Sequence, residues 1–183
     1  RSRMPRRSLA LVVLGLAACT ADAARDPLAP RAPSRSADAL PARPQLLVSR
    51  QSGKCVDVLG ADRSAGAPVT IWPCHGAENQ RWTLPPEGGA GEVRVYGDMC
   101  LDAYGGAGND FDAIVVWPCH GGANQQWALT EAGELKGANG KCVDVLGART
   151  EDLTPLVLYS CHGGINQRYD ARAPSDCPGC WDY

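Results

Sequence analysis

The chain has 183 residues, enough for one ordinary domain plus tails, with 18 Lys and Arg against 20 Asp and Glu for a net charge of −2. Four of the basic residues, Arg1, Arg3, Arg6 and Arg7, crowd the start, and without them 14 basic face 20 acidic residues, a net of −6. No basic stripe then remains for a phosphate backbone, which argues against nucleic acid as a partner.

Those arginines precede the apolar run 9–18, the order of an export signal over residues 1–19. Ten apolar residues are too few to span a bilayer as a helix. The run ends in Leu16-Ala17-Ala18-Cys19, which resembles the bacterial lipobox, where the cysteine is lipidated. A rival cut follows Ala21-Asp22-Ala23. Nine cysteines is an odd count, and either cut leaves eight for pairing. The expected location is the cell surface or outer membrane through a lipid on Cys19, or else the secreted medium. Residues 20–44 are rich in Ala, Pro, Arg, Ser and Asp without apolar periodicity and read as a disordered tether, reaching about 25–30 Å if flexible.

A threefold repeat fills residues 45–171. Copy one reads Lys54-Cys55-Val56-Asp57-Val58 and then Trp72-Pro73-Cys74-His75-Gly76-Ala77-Glu78-Asn79-Gln80-Arg81-Trp82. Copy two has Cys100-Leu101-Asp102 and Trp117-Pro118-Cys119-His120 through Asn124-Gln125-Gln126-Trp127. Copy three has Cys142-Val143-Asp144 and Tyr159-Ser160-Cys161-His162 through Asn166-Gln167-Arg168-Tyr169. A fixed-period repeat means equivalent structural units. Short segments rich in Val, Leu, Ile and Trp between turn residues predict strands over 46–48, 55–58, 69–72 and 81–84 in copy one. Copy two supplies 93–96, 100–103, 114–117 and 126–129, and copy three 134–136, 142–145, 156–159 and 168–171. The fold class is therefore all-β, with twelve strands and no segment of amphipathic-helix length and period.

In each copy the two cysteines stand nineteen positions apart, which in an exported chain points to one disulfide per repeat: Cys55–Cys74, Cys100–Cys119 and Cys142–Cys161. Zinc is the weaker alternative, because adjacent Cys and His point to opposite faces of a strand and no C-x-x-C pair recurs among the copies. Period-two geometry places Cys55 with Asp57 on one face and Trp72 with Cys74 on another. A bridge holds the two Cα atoms within about 7 Å, so Asp57 and Trp72 come to the same side, as do Asp102 with Trp117 and Asp144 with Tyr159. Each repeat thus gathers a carboxylate, an aromatic plate, a His and an Asn around a disulfide. A carboxylate accepts vicinal hydroxyls through charge-assisted hydrogen bonds, an aromatic face suits the C–H side of a sugar ring, and Asn and His orient it.

These residues resemble a ricin B-type β-trefoil lectin domain, also described as a family 13 carbohydrate-binding module, with the Gln-x-Trp signature in Gln80-Arg81-Trp82 and Gln125-Gln126-Trp127 and a weakened form in Gln167-Arg168-Tyr169. The resemblance covers residues 45–171 and implies a pseudo-threefold β-trefoil that binds galactose- or xylose-type glycans in up to three shallow sites. It implies sugar contacts by Asp57, Trp72, His75 and Asn79, by Asp102, Trp117, His120 and Asn124, and by Asp144, Tyr159, His162 and Asn166. It places Gln80, Gln125 and Gln167, with Trp82, Trp127 and Tyr169, in the core. The Cys-His-Gly-Gly-x-Asn-Gln form is nearer to bacterial xylan- or galactan-binding members than to plant toxin lectins.

The tail 172–183 carries Cys177-Pro178-Gly179-Cys180, a structural bridge in the plainest reading and otherwise a redox pair or half of a metal site. Neither a cofactor nor a metal is expected. A glycosidase needs two carboxylates about 5–10 Å apart, and each repeat supplies one Asp, so no catalysis is expected. The reading is a monomeric glycan-binding lectin. Two others stay open: a targeting module of an extracellular glycoside hydrolase or other secreted enzyme, and a protein-interaction trefoil with relic sugar sites.

Overall fold

The computed structural model describes residues 43–177 and 180. The export segment 1–19 with Cys19, the tether as far as residue 42, and residues 178, 179 and 181–183 lie outside the described residues.

Among the described residues eleven strands run in chain order: β1 Leu46–Ser49, β2 Cys55–Val58, β3 Ala67–Trp72, β4 Arg94–Val95, β5 Met99–Ala103, β6 Ile114–Pro118, β7 Trp127–Leu129, β8 Leu135–Gly137, β9 Lys141–Val145, β10 Leu156–Ser160 and β11 Tyr169–Arg172. The twelfth, expected at 81–84, is reduced to two isolated pairings, Trp82 with Gln45 and Thr83 with Arg94. Successive residues there pair with different neighbours, and Pro85 and Pro86 follow at once, which lack the N–H needed to extend a ladder.

Two subsystems result. Strands β2–β3, β5–β6 and β9–β10 are antiparallel hairpins, one per copy. They meet through β3 against β6 and through the single pairings Thr70–Pro155 and Ala113–Val157. The remaining strands close a ring: β1 pairs β11, β7 pairs β8, and Gln45–Trp82, Thr83–Arg94, Gly91–Trp127 and Glu134–Arg168 link the rest. A closed ring leaves no edge strand to template association. Alternate residues of the hairpins, among them Val56, Val58, Leu101, Val143 and Val145, enter one core with Trp82, Trp127 and Tyr169. This is the inward face that period-two alternation predicts.

All three expected intra-repeat disulfides are formed, with Cα separations of 5.0, 5.0 and 5.1 Å. Each ties the first hairpin strand to the loop after the second and seals the non-core face, so that Cys55, Cys100 and Cys142 are fully buried. Closing a loop of this length is worth about 3 kcal/mol. Paired Cys100→Ala and Cys119→Ala substitution should cost about that much in urea unfolding of the oxidised protein. Cys177 and Cys180 are also bonded and pack with Cys55 and Cys74.

Candidate functional site

In each copy the aspartate lies two residues after the first cysteine, on the same face, and is the least exposed charged group of its repeat: Asp57 is 4%, Asp102 3% and Asp144 4% accessible. Burying a carboxylate is costly unless hydrogen bonds replace its hydration. A single turn of 3-10 helix supplies them. Glu78–Gln80, Ala123–Gln125 and Ile165–Gln167 each put an Asn and the following Gln side by side. The Asn Nδ2 donates to the aspartate Oδ2 at 2.8, 2.9 and 2.8 Å, and the Gln Nε2 donates to the same oxygen at 2.8, 2.9 and 2.9 Å.

The histidine completes the set. Its Nδ1 accepts the backbone N–H of Ala77, Gly122 or Gly164, which places the ring proton on Nε2. That nitrogen lies 3.4, 3.5 and 3.3 Å from the aspartate Oδ2 in copies one, two and three. The turn between His and Asn requires a left-handed residue, and Gly76, Gly121 and Gly163 fill it at φ of 68°, 72° and 70°, a conformation that glycine adopts without strain. Oδ2 therefore carries the Asn and Gln donors in every copy, with the imidazole Nε2 as a third neighbour that is within hydrogen-bond geometry in copy three. Oδ1 carries no hydrogen bond among the described residues.

Burial pushes the Asp57 carboxyl above its ordinary value of 3.8, against the opposing pull of Gln80, His75 and Asn79. Asp144 is raised by burial as well, opposed by Gln167, His162 and Asn166. An acid raised in this way takes up its proton earlier as pH falls, and the neutral group is a poorer acceptor. A hydroxyl donated to either carboxylate should thus be held less well on acidification before the ordinary aspartate range is reached; calorimetric titration of a sugar between pH 7 and pH 4 measures it. Stability runs the other way. The folded state holds these protons more tightly than the unfolded chain, so ionisation of the two groups costs stability as pH rises from 3.8 through the raised values.

The aromatic plates sit across the hairpin. Cys55 pairs with Trp72, Cys100 with Trp117 and Cys142 with Tyr159, so each ring shares the face of its aspartate. Trp72 and Tyr159 are half-buried and Trp117 is exposed. None belongs to the core cluster. Asn79 and Asn166 are buried, whereas Asn124 is more open.

The structure thus brings together all four expected residue types in every copy, and it adds one that sequence reasoning set aside. Gln80, Gln125 and Gln167 are fully buried, yet each touches the carboxylate. Each also donates to the backbone oxygen of Pro73, Pro118 or Ser160 and accepts the backbone N–H of the histidine. Two residues on, Trp82 and Trp127 donate Nε1 to the carbonyls of Val56 and Leu101, the residues just before the aspartates. Tyr169 does the same for Val143 through a longer 3.4 Å bond. Gln-x-Trp is a two-point clamp: Gln fixes the carboxylate, and the aromatic fixes the backbone beneath it.

A family model for the ricin-type beta-trefoil lectin domain matches residues 44–169. The chain belongs to the ricin-type β-trefoil lectin family. Among solved structures, the designed threefold-symmetric protein ThreeFoil is similar at 32% identity and a TM-score of 0.67, over 70% of this chain and 97% of its own. The exo-beta-1,3-galactanase 1,3Gal43A from Clostridium thermocellum is similar at 27% identity and a TM-score of 0.67, over 72% of this chain but 30% of the enzyme. The C-half of an earthworm R-type lectin, solved with GalNAc, shares the fold at 19% identity and a TM-score of 0.60, over 71% of this chain and 98% of that one. In this lectin domain the three carboxylate clusters occupy one place in each trefoil repeat.

Proposed function

We propose that this lectin domain binds galactose- or xylose-type glycans at up to three sites, each built on Asp57, Asp102 or Asp144 with its plate, His and Asn. The observation that carries the reading is the threefold carboxylate whose Oδ2 is saturated while Oδ1 is left open beside a reachable ring. A free carboxylate oxygen accepts sugar hydroxyls, and the adjacent ring receives the apolar face. Three weak sites acting together on one polymer raise apparent affinity by about 10²–10⁴.

Binding without catalysis fits these clusters, because the partners of each carboxylate are two amides and an imidazole, and no second acid hydrogen-bonds to it among the described residues. Export fits the four disulfides, which persist in oxidising compartments. A lipid at Cys19 would hold the monomeric domain at a cell surface, facing glycans rather than nucleic acid. The similarity to 30% of a galactanase favours one second reading, a module that carries an attached hydrolase to its polysaccharide.

A glycan array with polysaccharide pull-down on the intact oxidised domain tests the proposal. Retention on galactans or xylans supports it. Absence of binding to every glycan sinks it, and capture of a protein partner that survives loss of all three aspartates would favour an interaction trefoil instead.

A further inference from the structure

The three sites are alike at the carboxylate and unlike at the rim. Among the described residues, the exposed large hydrophobic side chains are Leu59, Tyr104, Phe111, Trp117, Leu153 and Ile165. All border the clusters: Leu59 and Tyr104 lie two residues after Asp57 and Asp102, Trp117 is a plate, and Ile165 precedes Asn166. Phe111 meets the Tyr159 plate from the neighbouring copy, and the Leu153 backbone bonds Ile71, next to Trp72.

Position eleven after the first cysteine of each copy is Gly66, Phe111 or Leu153, all with left-handed φ of 88°, 71° and 64°. Their backbone N–H groups donate to Val116, Leu158 and Ile71 at 2.8, 2.8 and 3.0 Å, in each case the residue before the next copy's plate. The side chain at this position therefore flanks a plate that belongs to another repeat. In copy three that brings Phe111, 62% exposed, edge-on to Tyr159 with ring centroids 5.0 Å apart. In copy two the flanking residue is Gly66, and a second ring comes instead from Tyr104, 6.1 Å from Trp117 and 55% exposed. Copy one has leucines, Leu59 and Leu153, at both places.

A Phe held at positive φ is an uncommon and costly conformation, and an exposed aromatic gains no core burial in return. A contact surface gives it a purpose. We infer that sites two and three are extended: Tyr104 and Phe111 contact the sugar unit next to the one held by Asp102 or Asp144, so these sites take chains of two or more units, while site one takes a single terminal unit. The inference rests on the carbohydrate reading above.

The test isolates each site by Asp→Asn substitution of the other two and titrates galactose, β-1,3-galactobiose, xylose and xylobiose by calorimetry. Sites two and three should prefer the disaccharide over its monosaccharide by about fivefold, the effect of one added aromatic contact, and site one should show a ratio near one. Phe111→Gly, which installs the residue that flanks site two at Gly66 and relieves the backbone, should abolish the preference at site three with monosaccharide affinity unchanged. Tyr104→Leu, which copies Leu59, should do the same at site two. Equal ratios at all three sites would overturn the inference, as would variants that weaken both sugars alike or a Phe111→Gly variant that binds monosaccharide more tightly. Binding by wild type without length dependence removes this inference alone, whereas no binding of any sugar removes the carbohydrate reading and the inference with it.

Discussion

Replacing Gln80 with glutamate should destabilise the oxidised domain by about 3–5 kcal/mol at neutral pH, the range for breaking a buried hydrogen-bonded charge network from one side. The substitution changes no volume, so no cavity contributes. What changes is polarity: Gln80 Nε2 donates to Asp57 Oδ2 and to the Pro73 carbonyl, both at about 3 Å, while its Oε1 accepts the N–H groups of His75 and Gly76. A carboxylate keeps the two acceptor roles and loses both donor roles, facing two oxygens with a negative charge in a fully buried position. Urea unfolding at pH 7 measures the loss. Because protonation restores one donor, the deficit should shrink as pH falls towards 4. A loss that stays constant with pH would show that Gln80 acts through packing instead.

Substitution of Asp102 by asparagine should leave the fold standing and remove ligand affinity at site two by about 100-fold or more. An amide oxygen turned towards Asn124, Gln125 and His120 satisfies the donors that now meet Oδ2. The NH₂ group then takes the place of Oδ1 and presents donors where a sugar hydroxyl needs an acceptor. Charge-assisted hydrogen bonds are worth about 1.5–3 kcal/mol each, and the loss of about 2.8 kcal/mol is a factor of 100. Calorimetric stoichiometry should fall by one site with the other two unchanged. Retained affinity at all sites would place the ligand elsewhere.

The hairpins and their bridges were legible in the sequence because they rest on short-range rules. Alternation puts Val56 and Val58 in the core and Cys55 and Asp57 opposite, and nineteen-residue spacing fixes each cystine. The side shared by Asp57 and Trp72 followed from those two facts alone. The strand at 81–84 is present only as single pairings because Trp82 and Thr83 pair with different partners, a long-range matter that local pattern does not carry. The family resemblance places Gln80, Gln125 and Gln167 in the core, and they are buried, but burial hides their role: a glutamine that fixes a carboxylate looks in sequence like one that fills space. The available signal was its place directly after Asn on a one-turn helix, in every copy. Phe111 was invisible for a different reason. Its equivalents are Gly66 and Leu153, so no repeat in residue type marks the position, and only the ring of inter-copy hydrogen bonds reveals it.

The central claim is that one open aspartate oxygen per repeat receives the ligand. A crystal structure of the oxidised domain with β-1,3-galactobiose or xylobiose tests it most directly. Sugar hydroxyls should lie within hydrogen-bond distance of Oδ1 of Asp57, Asp102 or Asp144, with a pyranose face against Trp72, Trp117 or Tyr159. Sugar bound away from all three carboxylates, or hydroxyls that displace Asn and Gln from Oδ2 while Oδ1 makes no contact, would contradict it.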